Sequence, residues 1–175
     1  EEVRRELAEL LGRTRSDPIA SDVSERTRVA AFDVDGTLTT ADCVVPFLRR
    51  TAGAPRLTFR LLRSPITLGR SAVRRDRDAL KAASVAAAFA GLPVEAVRAD
   101  AAVFAREVYD RRLRADVCDS LQGHLDAGDT VVLVSASFEV YLRPLAELLG
   151  VHDVLAARLE IDENGMLTGR LDGPN

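Results

Sequence analysis

The chain has 175 residues, of which 47% are hydrophobic, and a formal net charge of −3. This length and apolar fraction suffice for one domain with a buried core, or for a core with an insert. The charge gives no reason to expect nucleic acid as a partner, and no run of 18 apolar residues predicts a membrane span.

The first 27 residues are predicted to be an arm that precedes the domain. Residues 1–11 have the pattern of a short amphipathic helix ending at Gly12, and a linker rich in Ser, Asp and Pro follows. The opening residues are charged and do not resemble a signal peptide. Because the two cysteines, Cys43 and Cys118, lie far apart and without metal-ligand spacing, we expect a cytoplasmic protein.

Two apolar segments are predicted to be strands of a parallel sheet. They are RVAAFDV, residues 28–34, and TVVLVSAS, residues 130–137; the second is continuously apolar, as in a strand buried on both faces. A helix that Pro144 either kinks or delays comes next, and then a third strand and a hairpin turning at Asn164-Gly165. This order of elements predicts an α/β fold.

The segment between the two strands is predicted to be a helical insert. Its first part is cut into short pieces by three prolines, Pro46, Pro55 and Pro65. Its clearest helix lies within residues 92–114, where Pro93 occupies the first turn and one face is apolar at Val97, Ala101, Phe104 and Val108. The predicted units are an arm (1–27), a core (28–40 and 116–175) and an insert (41–115).

Two aspartates follow the first strand at the edge of the sheet where open parallel sheets bind ligands. Asp33 and Asp35 are two residues apart, and Gly36 allows the chain to turn so that both face one cavity. Two close carboxylates repel unless a cation or a shared proton compensates them, so a divalent metal is the natural third member of the site, and Mg²⁺ suits hard oxygen ligands. The alternative is a plain turn in which Thr37 caps the next helix.

The sequence FDVDGTLT, followed by a helical insert and then by VVLVSAS, resembles the haloacid dehalogenase superfamily of phosphotransferases and phosphatases. Within it, residues 28–175 are most similar to the phosphoserine-phosphatase-like hydrolases. The resemblance implies a Rossmann-like core with a parallel sheet, an inserted α-helical cap, and a small phosphorylated substrate.

The resemblance also implies a role for each matching residue. Asp33 would be the nucleophile that forms an aspartyl-phosphate, and Asp35 would protonate the leaving oxygen and later activate water. Mg²⁺ would be held by the Asp33 carboxylate and the main-chain carbonyl of Asp35. Ser135 would bind a phosphoryl oxygen, and Gly36 and Thr37 would shape the loop beneath it. On position alone, a helix cap is an equal interpretation of Ser135.

The sequence departs from the family in its last part. No lysine follows Lys81, and no later acidic pair completes a metal site. We therefore expect that the C-terminal part of the core is missing and that the chain is weakly active or inactive. Three acidic residues flank the hairpin turn and are expected to be solvated: Glu160, Asp162 and Glu163. Arg158 and Arg170 would replace the lysine poorly, because a guanidinium is planar and large.

Two features of the insert bear on the substrate. Residues 43–75 contain eight arginines and no acidic residue, which is typical of a surface that contacts an anionic membrane or a phospholipid. The favoured alternative is that these arginines are solvated or pair with acidic residues of later helices. Asp42 is a candidate for binding a substrate amine and equally a candidate helix cap.

Three functions remain open from the sequence. The leading one is a phosphomonoester hydrolase, the second is phosphoryl transfer to another acceptor as in a mutase, and the third is a non-catalytic domain that binds a membrane or a partner.

His124 and His152 are predicted to be packing or surface residues, and Cys43 and Cys118 small buried groups.

Overall fold

A computed structural model describes residues 28–53 and 77–173, with side chains in residues 77–80 left out. The predicted N-terminal helix, Pro55, Pro65 and the arginines between residues 54 and 76 lie outside these ranges. The elements, in chain order, are β1 (Val29–Asp33), a tight loop (Val34–Leu38), α1 (Val44–Ala52), α2 (Arg77–Phe89), α3 (Val94–Arg111), α4 (Ala115–Asp126), β2 (Thr130–Phe138), α5 (Glu139–Leu149), β3 (Asp153–Ile161) and β4 (Leu167–Asp172).

The sheet has four strands in the order β1-β2-β3-β4. β1 and β2 are parallel with Asp33 opposite Val134, β2 and β3 are parallel with Leu133 opposite Val154, and β3 and β4 are antiparallel. The predicted α/β class with a parallel sheet is confirmed. The register places the end of β1 beside Val134 in the middle of β2, directly before Ser135, and this brings the two predicted motifs to one edge of the sheet.

Aromatic side chains join the helical insert to the sheet. Phe47 of α1 lies 4.8 Å from the ring of Tyr141 in α5, and Phe104 of α3 lies 5.3 Å from the same ring. Phe89 of α2 packs edge-on against Phe138 at the end of β2, with 5.3 Å between ring centres. All five rings are at most 2% exposed. The insert and the core therefore share one aromatic cluster. Each aromatic pair in it stabilises the fold by about 0.5–1.5 kcal/mol beyond the burial of its surface.

The predicted helices of the insert are largely confirmed. α3 begins after Pro93, and its four predicted apolar positions are all buried. Pro46 does not cut the chain into pieces as predicted, because it lies in the first turn of α1, where the missing N–H has no helical partner to lose. Pro144 does not delay α5 either, since that helix begins at Glu139 and ends with Gly150 in the left-handed conformation.

The predicted hairpin is present, and its turn is held by a carboxylate. Oδ1 of Asp162 accepts the N–H of Asn164 and the N–H of Met166, both at 2.9 Å. The prediction that the acidic residues of the hairpin are solvated is confirmed for Asp162 and Glu163, which are exposed, whereas Glu160 is half-buried and its carboxylate accepts a hydrogen bond of 2.7 Å from Nε of Arg170. The acidic residues of the hairpin therefore serve the turn and the strand pair.

No helix in residues 28–53 or 77–173 is long and apolar enough to cross a membrane.

Candidate active site

The loop after β1 is fixed by backbone geometry. The N–H of Thr39 donates to the carbonyl of Val34 at 2.9 Å, which closes the loop Val34–Leu38. Gly36 has a φ of 79°, a left-handed conformation that glycine adopts without the steric cost of a side chain. The buried hydroxyl of Thr39 lies 2.8 Å from the carbonyl of Ala41. The sequence Asp-Val-Asp-Gly-Thr therefore forms a rigid turn at the end of the strand.

Asp33 is exposed at the carboxyl end of β1. Its Oδ2 accepts a hydrogen bond of 2.6 Å from the hydroxyl of Thr37, within the same loop. The plain-turn alternative requires Thr37 to cap the next helix. Thr37 does not do so, because its hydroxyl is directed at Asp33 and α1 begins seven residues later, at Val44. The carboxylate is thus oriented by one donor and otherwise accessible.

Asp35 is half-buried and held from two sides. Its Oδ1 accepts the N–H of Cys43 at 2.8 Å, and its Oδ2 accepts the hydroxyl of Ser135 at 3.3 Å and the hydroxyl of Ser137 in a shorter bond. The two serines belong to the end of β2, one hundred residues away in the chain. The two aspartates have different hydrogen-bond partners, and these contacts do not test whether both carboxylates face one cavity. That expectation therefore remains a prediction.

Ser135 does not cap α5. That helix begins at Glu139, with Phe138 at its N-cap, whereas Oγ of Ser135 accepts the N–H of Ser137 at 3.0 Å inside β2. Ser137 was missed by the sequence analysis, although two serines two residues apart in a strand lie on one face. The sequence alone did not indicate that the loop after β1 reaches the face of β2 that carries Ser135 and Ser137.

Asp42 caps α1. Its Oδ1 accepts the N–H of Val44 at 2.8 Å and the N–H of Val45 at 3.4 Å. The helix-cap interpretation is therefore observed, and the substrate-binding role stays a prediction.

The cysteines are free and are not activated. Cys43 is fully buried, and burial, followed by the negative charge of Asp35, raises the pKa of its thiol to about 11. Burial also raises the pKa of the half-buried Cys118. Because the thiolate is the nucleophile, neither residue is set up for nucleophilic catalysis.

The histidines have structural partners. Nδ1 of His124 lies 2.8 Å from Oδ2 of Asp129, a buried carboxylate that also accepts a bond from Arg28. Nδ1 of His152 accepts the N–H of Val131 at 3.0 Å. Both contacts lie at the start of β2, at the opposite end of that strand from the aspartate pair. The Asp129 partner of His124 was not predicted.

The donors at the loop suit a hard cation. Within the described parts of the chain, no group of three or more His, Cys, Asp or Glu side chains could hold a metal ion. Mg²⁺ does not need such a cage, because it is commonly bound by one or two carboxylates together with waters and substrate phosphates. The accessible carboxylate of Asp33 fits that pattern. The Asp35 carboxylate is already engaged on both oxygens, so its main-chain carbonyl is the better candidate.

A surface cavity of about 480 Å³ lies elsewhere, between α3, α5 and the hairpin. None of the predicted site residues lines it. Three of its charged lining residues form ion pairs: Arg143 with Glu139 and with Asp153, and Arg158 with Glu139. In the described part of the basic segment, Arg50 bonds Glu107 of α3 at 3.4 Å, as the pairing alternative predicts.

Residues 30–175 match the family model of the haloacid dehalogenase-like hydrolases. Protein CicA of Caulobacter vibrioides is 34% identical over 164 residues, which cover 94% of this chain and 73% of that protein. A phosphoserine phosphatase of Archaeoglobus fulgidus is 32% identical over 180 residues, which cover 98% of this chain and 46% of that protein.

Solved structures agree with these sequence matches. A protein of unknown function from Bordetella pertussis Tohama I superimposes with a TM-score of 0.56 at 29% identity, over 84% of this chain and 67% of that chain. A phospho-aspartyl intermediate analogue of phosphoserine phosphatase superimposes with a TM-score of 0.53 at 21% identity, over 85% of this chain and 64% of that chain, and shows the shared fold. The chain therefore belongs to the haloacid dehalogenase-like hydrolases and has a phosphoserine-phosphatase-like fold.

Proposed function

We propose that this protein is a magnesium-dependent hydrolase of small phosphomonoesters that forms an aspartyl-phosphate on Asp33. The observation that supports this most is the different setting of the two aspartates. Asp33 is accessible and oriented by Thr37, whereas Asp35, two residues later, is held by three donors. An accessible carboxylate can attack phosphorus, and a fixed one can move a proton at a defined position.

The proposed reaction consists of two displacements at phosphorus. First, a carboxylate oxygen of Asp33 bonds to phosphorus, the bond to the leaving oxygen breaks, and Asp35 gives that oxygen a proton. Then Asp35 takes a proton from a water whose oxygen attacks phosphorus, the bond to Asp33 breaks, and inorganic phosphate leaves. Ser135 and the loop at Gly36 and Thr37 are proposed to bind the phosphoryl oxygens.

Bound Mg²⁺ would supply positive charge next to the phosphoryl oxygens. We propose that the Asp33 carboxylate and the Asp35 main-chain carbonyl hold it.

The test is phosphate release from a panel of phosphomonoesters, with and without Mg²⁺. Asp33→Asn should abolish it, while Asp110→Asn, an exposed carboxylate on α3 paired with Arg106, should not. A second readout does not depend on turnover: ¹⁹F NMR detects binding of the phosphoryl analogue beryllium fluoride together with Mg²⁺. If neither turnover nor an Asp33-dependent fluoride complex is found, the proposal is wrong.

The same assay separates the other candidate functions. Transfer of the phosphoryl group to an added acceptor would indicate a mutase-like activity. Salt-sensitive binding to anionic vesicles that survives Asp33→Asn would indicate a membrane-binding domain that uses residues 43–75. We propose a cytoplasmic location, supported by two free cysteines, and cell fractionation tests it.

A further inference from the structure

We propose that Ser137, backed by the phenol of Tyr141, is the positioning residue that fixes the Asp35 carboxylate for proton transfer. The proposal rests on the proposed function, because it assigns a role to residues behind the same acid–base group. Both residues are buried, at 1% and 0% exposure, so neither is placed to contact solvent or a substrate directly.

Ser137 holds Asp35 from the side opposite to the loop. Its hydroxyl donates to Oδ2, while the N–H of Cys43 donates to Oδ1. A carboxylate held at both oxygens by different elements cannot rotate about its last bond. Ser135 also reaches Oδ2, but at 3.3 Å it is the weaker donor. Orientation of this kind is what an acid–base group needs, because proton transfer requires hydrogen-bond reach in a defined direction.

Tyr141 supplies the second link. It lies in the first turn of α5, and its hydroxyl is buried without a hydrogen-bond partner in the described residues. Burial first, and then the negative charge of Asp35, raises the pKa of the phenol, which therefore remains a proton donor. Ser137 lies close enough to oppose that shift. The Ser137 oxygen is free to accept because its own O–H is directed at Asp35, and the proposed link requires a small side-chain movement that brings the phenol O–H to that oxygen.

Dependence on the leaving group tests the role. An alkyl phosphate needs a proton on its leaving oxygen, whereas p-nitrophenyl phosphate needs much less help. We expect Ser137→Ala to lower kcat/KM for the alkyl ester by roughly tenfold to a hundredfold, which is less than the roughly 10²–10⁴-fold contributed by general acid–base catalysis as a whole, and to lower that for the aryl ester by less than about threefold. Ser120→Ala, an exposed serine on α4, is the matched control and should change neither.

Tyr141→Phe guards against a folding defect in Ser137→Ala, because it removes an unpartnered hydroxyl and keeps the packed ring. We expect the same selective loss for the alkyl ester, at about threefold. Equal losses for both esters in Ser137→Ala, or no change, would overturn the role of Ser137. An unchanged ester ratio in Tyr141→Phe would overturn the role of Tyr141.

A spectroscopic arm does not depend on turnover. The chain contains two tyrosines, so labelling the tyrosine ζ carbon with ¹³C gives two resonances, with Tyr109 on the surface as the internal reference. Ser137→Ala and Asp35→Asn should move the Tyr141 resonance and leave Tyr109 in place. An unmoved Tyr141 resonance refutes the hydrogen-bond chain. If wild-type protein neither hydrolyses an ester nor forms the Asp33-dependent beryllium fluoride complex, the proposed function fails, and the NMR result still decides whether Tyr141 is linked to Ser137.

Discussion

The hydroxyl of Thr37 donates to Oδ2 of Asp33 over 2.6 Å, within a loop that Gly36 turns through a left-handed conformation. The proposed nucleophile is therefore oriented by a neighbour in its own loop, whereas Asp35 is oriented by the N–H of Cys43 and by two serines of another strand. Local sequence positions the first aspartate, and the tertiary fold positions the second.

Removal of the Thr37 hydroxyl tests whether Thr37 orients the Asp33 carboxylate for catalysis. A hydrogen bond to a charged group contributes about 1.5–3 kcal/mol, and about 1.4 kcal/mol corresponds to a factor of ten. We expect Thr37→Ala to lower kcat/KM by roughly tenfold or more, and Thr37→Ser to retain most of it because the donor remains. Steady-state kinetics on one phosphomonoester would show this. Equal losses in the two variants would assign the effect to the methyl group instead.

Two glycines of the hairpin form a matched pair for stability. Gly165 and Gly169 have similar φ values of 73° and 80°, but a Cβ at Gly169 would lie 2.7 Å from Cβ of Ala90, whereas one at Gly165 meets nothing within 4 Å. Gly165→Ala should cost about 1–2 kcal/mol for the left-handed backbone. Gly169→Ala should cost about 1–3 kcal/mol more, because the hairpin must move away from the chain after α2.

Urea unfolding of the two variants and the wild type measures this difference. Similar midpoints for Gly165→Ala and Gly169→Ala would mean that the hairpin does not pack against Ala90 in solution.

Sequence reasoning succeeded where local pattern decides the structure. The apolar face of α3 at Val97 and Phe104 follows from helical periodicity, and the turn at Gly165 follows from Asn-Gly between strands. The positions of Asp33 and Asp35 at a strand end follow from the apolar run before them. These features depend on residues close together in the chain.

Two of the missed features join distant segments. Ser137 bonds Asp35 across 102 residues, and Arg28 bonds Asp129 across 101. Such contacts depend on the β1–β2 register and on where the loop after β1 comes to lie, which no local pattern specifies. Pro46 was misjudged for a simpler reason: its effect depends on its position within the helix, and helix starts are among the least certain features of a sequence.

The Asp129 cluster predicts a pH dependence of stability. Hydrogen bonding to His124 is the first cause that lowers the pKa of Asp129 below its ordinary value of 3.8, and Arg28 adds to it. A carboxyl whose pKa is lowered by folding stabilises the protein above its unfolded pKa, and the contribution is lost as the pH falls through the folded value. We expect Asp129→Asn to be less stable than wild type at pH 6, with the gap closing below about pH 4.

Urea midpoints measured between pH 3 and pH 7 check this. Asp126→Asn, an exposed carboxylate at the end of α4 that bonds Gln122, is the control and should show no such closing gap. A gap for Asp129→Asn that stayed constant down to pH 3 would assign the loss to shape or packing.

Cys43 should resist thiol reagents in the folded protein. Its thiol is fully buried, and with a pKa of about 11 almost none of it is thiolate at pH 7.5. In a Cys118→Ser background, we expect one thiol that reacts with an aromatic disulfide only after denaturant is added. Rapid labelling of the native protein would show that α1 detaches from the core on the timescale of the assay.

Asp42 decides between a helix cap and a substrate ligand. Because its Oδ1 accepts two N–H groups at the start of α1, Asp42→Ala should lower the free energy of unfolding by about 1 kcal/mol. Asparagine keeps the capping oxygen and removes the charge, so Asp42→Asn should retain the stability. If capping is the whole role, kcat/KM is also unchanged in Asp42→Asn. A selective rise in KM for substrates that carry an amine, at unchanged stability, would instead establish that the carboxylate binds the substrate.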